Sequence, residues 1–333
     1  MKTERFEQEA TEATEGGRWD EIRKFPNCRI LRYLCCLVLI ILFLLPQAPG
    51  PGRALGQASL SIHLTLGKPS PATLDAHKTP DDFLLIKDQY ALSYNHSKAT
   101  ANWVAWHLSK SDLGHADRQN DFRSDDALPL GWFRVVKADF DNTGFDCGHL
   151  CPSSDRTHSI HDNQATFLTT NMVPQVPKNN RVAWRGLEEF ERKLVGDGHH
   201  ECYIVAGPAG AGGRGSHGYK LRLRIPDVQL RPGGDVVVPA AVWKVILLLD
   251  EKEGDDLKRV DKSTRVIAVV MPNLQSIAGD WPEYRATVKD VEELTGLKFF
   301  PLVPAAVRQA LEKKGAEEDE PPRHQGHQAK REE

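Results

Sequence analysis

The sequence predicts an α+β fold, an antiparallel β-sheet core flanked by helices. β-rich runs bounded by Gly, Pro and Asp recur along the chain, helical stretches are fewer and short, and no internal repeat is present. In chain order, residues 83–87 and 90–94 are short strand-like runs. Residues 102–109 (Asn-Trp-Val-Ala-Trp-His-Leu-Ser) alternate as a half-buried strand does, and 131–137 read as another. Residues 202–206, 220–225, 241–250 and 263–272 complete the strands. Helical patterning covers 162–167, 180–195, 288–295 and 305–314.

The 333 residues are 40% apolar and 27% charged, which excludes a collagen-like, disulfide-framework or wholly disordered chain. With 43 basic and 46 acidic residues the net charge is −3. A uniformly basic surface is therefore excluded, and phosphate binding requires a local cluster.

Residues 1–28 are polar. Residues 29–46 hold a 13-residue apolar run, Tyr33 to Leu45, preceded by Arg23, Lys24, Arg29 and Arg32. A spanning helix wants about 20 such residues, and a signal-peptide core about 7–15. Export is expected, either with cleavage after Ala54-Leu55-Gly56 or with the run kept as a short anchor. The product is secreted, periplasmic or membrane-anchored. Residues 47–60 form a Pro/Gly linker, 61–303 the main domain, and 304–333 a helix and a charged, disordered tail. Cleavage would leave Cys147, Cys151 and Cys202, an odd number, so one bridge at most forms. The glycine-rich stretch 207–215 follows a strand but lacks a closing Lys-Ser/Thr and a following helix, so it reads as a hairpin loop and not a phosphate cradle.

The chemistry concentrates in residues 145–195. In the helix at 180–195, Ala183, Leu187, Phe190 and Leu194 share an apolar face. Asn180, Glu188 and Arg192 lie on the adjacent polar stripe with Trp184 between them, spaced by four or eight residues. An amide oxygen suits Mg²⁺, which keeps most of its waters. A carboxylate can hold those waters, and a guanidinium can fork onto a phosphate oxygen. A solvated face with a Glu188–Arg192 pair would give the same pattern. His149, presented after Gly148, adds a group able to take a proton from water near neutral pH.

These residues resemble the DNA/RNA non-specific endonucleases, the ββα-metal (His-Me finger) nucleases that include mitochondrial endonuclease G and secreted bacterial sugar-non-specific nucleases. The likeness covers about residues 61–300. It includes Leu84-Leu85-Ile86-Lys87 with Tyr90-Ala91-Leu92-Ser93-Tyr94-Asn95, Arg118-Gln119-Asn120-Asp121-Phe122-Arg123, the Asp-x-Gly-His-x-x-Pro core at 146–152, Thr170-Asn171-Met172 and Tyr203-Ile204-Val205-Ala206-Gly207-Pro208. The resemblance implies a ββα-metal finger active site. It makes His149 the general base, Asn180 the protein ligand of Mg²⁺ (with Mn²⁺ as a substitute), and Glu188 the carboxylate that orients metal-bound water. Arg192 and Arg118 become phosphate-binding arginines. It implies hydrolysis of DNA and RNA to 5′-phosphate ends, with DNA and RNA as partners. A proteinaceous inhibitor and a homodimer are further partners it leaves open.

One position departs from the family pattern: Cys147 stands where Asp-Arg-Gly-His would have arginine, and a thiol supplies neither its charge nor its fork. Two alternatives follow. One is a catalytically impaired extracytoplasmic nucleic-acid-binding protein of the same fold. The other is a zinc-stabilised domain built on Cys147, His149 and Cys151 with His158, His161 or Cys202.

Overall fold

The computed structural model describes residues 61–224 and 234–316. The leader with Cys28, Cys35 and Cys36, the linker at 47–60 and the tail beyond 316 lie outside the described residues. Twelve strands are described. They are β1 (Phe83–Ile86), β2 (Ala91–Asn95), β3 (Thr100–Leu108), β4 (Asp146–His149), β5 (Met172–Gln175), β6 (His200–Ala209), β7 (Gly213–Gly215), β8 (Gly218–Lys220), β9 (Arg222–Arg224), β10 (Asp235–Val237), β11 (Ala241–Asp250) and β12 (Arg265–Pro272). The helices are α1 (Ile160–Ala165), α2 (Trp184–Val195), α3 (Asp256–Arg259), α4 (Val288–Thr295) and α5 (Ala305–Leu311).

Six strands form the main sheet in the order β1-β2-β3-β6-β11-β12, antiparallel throughout. Successive side chains of a strand point to opposite faces, and here both faces are covered. Val104, Trp106, Ile204 and Ile246 enter one core, while Trp103, Ala105, Val245 and Leu247 enter the other. The alternation in β3 therefore separates two buried faces, not a buried from a wet one. Leu64, Leu66, Val288, Val291 and Leu311 fill the second core. The first core takes Trp184 and Leu187 of α2 together with Met172 and Val173 of β5, so the candidate site is built on that face.

Local chemistry explains why α4 was readable. The Thr287 hydroxyl accepts from Asp290 N at 3.1 Å, and the Asp290 carboxylate accepts from Thr287 N at 2.8 Å. Gly296, at φ 74°, ends the helix. A cap of this kind is worth about 1 kcal/mol.

Three expectations are corrected. Residues 131–137 form no strand. Phe133 and Val135 are buried, and the Val135 carbonyl accepts from the Thr169 hydroxyl at 2.7 Å, so among the described residues the alternation reports packing and not a strand. The run at 220–225 splits: β8 pairs with β7 and β9 with β10, and Ile225 lies outside the described residues. Of the glycine-rich stretch, Gly207 to Ala209 continue β6, Gly213 to Gly215 are strand β7, and only Gly210 to Gly212 make the turn between them. Among the described residues no helix is long and apolar enough to cross a membrane.

Candidate active site

β4 and β5 form a separate two-stranded ribbon, with Gly148 opposite Val173 and His149 opposite Met172. Gly148 is needed for a close approach: a Cβ there would lie 2.4 Å from Gln175 Oε1 and 2.8 Å from Gln175 Cβ. The chain then enters a π-turn, Asn179–Ala183, which runs directly into α2. This is a β-β-helix unit laid against the main sheet.

The π-turn corrects the reading of the helix as a uniform α-helix. At about 100° per residue, eight residues leave Asn180 and Glu188 about 80° apart. An i→i+5 turn holds more residues, so each rotates less and the gap closes. It also separates two adjacent asparagines. Asn179 is fully buried and donates to the Pro272 carbonyl at 3.2 Å. Asn180 lines the cleft and donates from Nδ2 to Asp146 Oδ2 at 2.9 Å, which leaves its carbonyl oxygen for another partner.

The structure brings all five sequence-derived site residues into one cleft of about 430 Å³: Arg118, His149, Asn180, Glu188 and Arg192. His149 is 8% exposed, and its Nε2 has no hydrogen-bond partner among the described residues. The rings of Phe167 and Phe122 meet it edge-on, at 4.9 and 5.7 Å between centroids. Burial, with the nearby Arg118 charge, holds His149 down at about 3, so the ring is neutral at physiological pH. Arg118 donates to Asn120 Oδ1 at 2.8 Å and Ser153 Oγ at 2.6 Å, and lies 4.9 Å over Phe167. Arg192 donates to Asp155 Oδ1 at 3.0 Å. Burial pushes Glu188 up to about 7 and Asp155 adds to the push, while Lys244 and Arg192 oppose it.

Beneath the cleft are residues whose part the sequence reading missed. Asp155, fully buried, takes Trp106 Nε1 at 3.0 Å as well as Arg192. Lys244 of β11 and Glu191 of α2 form a fully buried ion pair at 3.0 Å. The Lys244 ammonium lies 4.5 Å from the Trp184 ring centroid and 5.4 Å from that of Trp106. Only Asp146 had a signal, its place in the Asp-x-Gly-His run.

The thiols of Cys147, Cys151 and Cys202 are free, and burial pushes each above its ordinary range. Among the described residues, the group of three donors close enough to share an ion is His107, Glu201 and Asp256, not the cysteine-centred set. Arg259 already pairs with both carboxylates of that group.

Residues 70–306 match the family model described as DNA/RNA non-specific endonuclease. A nuclease of Nostoc sp. is 46% identical over 256 residues, 77% of this chain and 86% of that protein. The mitochondrial nuclease EXOG of Homo sapiens is 31% identical over 220 residues, 64% of this chain and 55% of its own length. A chain of the crystal structure of the EndoG/EndoGI complex superposes with a TM-score of 0.58 at 24% identity, covering 80% of this chain and 100% of that one; at that identity it speaks for the fold alone.

Proposed function

Since the chain belongs to the DNA/RNA non-specific endonuclease family and is a hydrolase of nucleic acids, we propose that its cleft cuts DNA and RNA phosphodiesters with a divalent cation and without strong sequence specificity. His149, neutral and buried, takes the proton of the attacking water. Arg192 and Arg118 offset the charge that builds on the phosphate, from positions already fixed by Asp155, Ser153 and Asn120. The donor set fits a hard cation. Asp146 engages the Asn180 amide nitrogen and leaves the neutral oxygen, and Glu188 lines the same cleft, so Asn180 would hold Mg²⁺ directly and Glu188 through its waters. Mn²⁺ would substitute. When bound, the ion supplies Lewis-acid stabilisation of the phosphate oxygens. Contacts to phosphates carry no sequence information, which accounts for broad substrate use. Attack with departure of the 3′ oxygen leaves 5′-phosphate ends.

One observation carries this reading: an unpartnered, neutral histidine shares one cleft with Asn180, Glu188 and two arginines. The basic residues ahead of the apolar run support export, secreted, periplasmic or anchored. The subject of the EndoG/EndoGI structure, a complex in which EndoG is inhibited, supports a protein inhibitor as a partner. Self-association as a homodimer belongs to the same reading and is read by mass in solution. The chemistry is tested by mapping the ends of a cut oligonucleotide in Mg²⁺, Mn²⁺ and EDTA. Ends that accept a new phosphate only after phosphatase treatment, and no cutting in EDTA, are expected. Cutting that persists in EDTA, or 5′-hydroxyl ends, would overturn it.

A further inference from the structure

Arg181 lines the cleft and has no role in the assignment above. It follows Asn180 on the π-turn, and its side chain is 68% exposed. Its Nε donates to Asp146 Oδ2 at 2.8 Å and its Nη2 to Asp146 Oδ1 at 2.7 Å. A two-pronged pairing of this kind fixes the plane of a guanidinium as a single bond does not. Two of five N–H donors are thereby used, and three remain. Asp146 is itself steadied by Asn180. The other cleft arginines differ. Arg192 and Arg118 are anchored deeper, at Asp155 and at Ser153 and Phe167. Arg185 makes one bond, to Glu189, which is 54% exposed. Cys147, beside Asp146 in the chain, is a neutral thiol and brings no charge to this wall. Arg181 is thus both exposed and rigidly oriented.

We propose that Arg181 is a substrate-binding residue that grips the phosphodiester next to the one cleaved, with the N–H donors Asp146 leaves over. The ligand is the polynucleotide backbone, DNA or RNA alike, because a phosphate contact reads neither base nor sugar. The assignment rests on the cleft being the cutting site, and two separate arms test it.

The first arm uses the full chain carrying His149→Ala, in EDTA, with a fluorescent 20-base-pair DNA titrated across KCl concentrations by anisotropy. Arg181→Gln should lower the slope of log affinity against log salt by about 0.9, one phosphate contact. Arg181→Lys should keep the slope but lose part of the affinity. Lys193→Gln, on an exposed residue outside the cleft lining, is the control. The second arm compares Arg181→Gln with the unmodified protein on long DNA and on bis(p-nitrophenyl) phosphate, which has no neighbouring phosphate. The preference for DNA should fall about tenfold, through KM. An unchanged salt slope overturns the proposal. Equal losses on both substrates also overturn it, because Arg181 would then only prop Asp146 and Asn180. If the unmodified protein cut neither substrate, the nuclease reading would fall, and the anisotropy arm would still decide Arg181.

Discussion

His107 and His149 are equally buried, each 8% exposed, yet their surroundings are opposite. His107 Nε2 meets Glu201 Oε2 at 2.8 Å, and Arg259 pairs with both Glu201 and Asp256. In that cluster the imidazole nitrogen and both carboxylates are matched, and among the described residues Arg259 Nε is the one buried polar atom of the group left over. His149 Nε2 has no partner among the described residues, and its ring borders a cleft holding a carboxylate, an amide and several arginines. An unmatched buried polar group costs about 1–3 kcal/mol. Beside a cleft, a group that carries this cost is free to engage a ligand. The same residue types make a structural staple at one end of β3 and the proposed reaction centre at the other site, and what separates the two histidines is that His107 Nε2 is matched and His149 Nε2 is not.

Breaking the unsatisfied side should cost the most. His149→Ala is expected to slow cleavage by about 10²–10⁴-fold with the melting temperature held or raised, as read by a cleavage time course beside thermal melting. His107→Ala should show the reverse: near-normal cleavage with a loss of about 1–3 kcal/mol in denaturant unfolding. A swap of those two outcomes would sink the comparison.

The buried pair under the site tests satisfaction from another direction. Lys244→Met strands the Glu191 charge in the core and should cost about 3–5 kcal/mol, most of it recovered by the double change with Glu191→Leu. Urea unfolding of the three variants measures it; a double variant as unstable as the single one would contradict the ion-pair account.

A smaller effect concerns pH. His149 sits at about 3 when folded against 6.5 when free. Its contribution is therefore fully present above about 6.5 and is lost as pH falls toward 3, because the unfolded chain takes the proton first. His149→Gln should flatten that part of the stability profile between pH 6.5 and 4. Parallel profiles for the two proteins would argue that the ring is hydrated and not buried. The smallest effect is expected at Cys147. Its thiol is neutral, so Cys147→Ser should keep the cleavage rate within about threefold, and a tenfold loss would show that the thiol itself takes part.

Much of this was legible in the chain. The strands β1, β2, β11 and β12 and the helix α4 follow from apolar runs and caps, which are local signals. Four of the five candidate site residues carry short-range patterns, Asp-x-Gly-His and the Asn180/Glu188/Arg192 spacing, whereas Arg118 is implied only by the family resemblance; all five line one cleft. What stayed hidden depends on distant segments. Asp155 acquires its part only when β3 brings Trp106 and α2 brings Arg192 to it. Lys244 and Glu191 are 53 residues apart and read as ordinary surface charges until β11 and α2 pack together. The π-turn is invisible to a 3.6-residue period, although it spans part of the chain between Asn180 and Glu188, which both line the cleft. Residues 131–137 misled for a related reason: burial alternates there although the described residues form no strand.

The most direct test is a gel assay of the protein on plasmid DNA and on RNA, with Mg²⁺ and with EDTA, beside folded His149→Ala. The account predicts loss of both polymers in Mg²⁺, protection in EDTA, and no cutting by the variant. Full activity of His149→Ala, or an intact substrate after incubation with the folded unmodified protein in Mg²⁺, would contradict it.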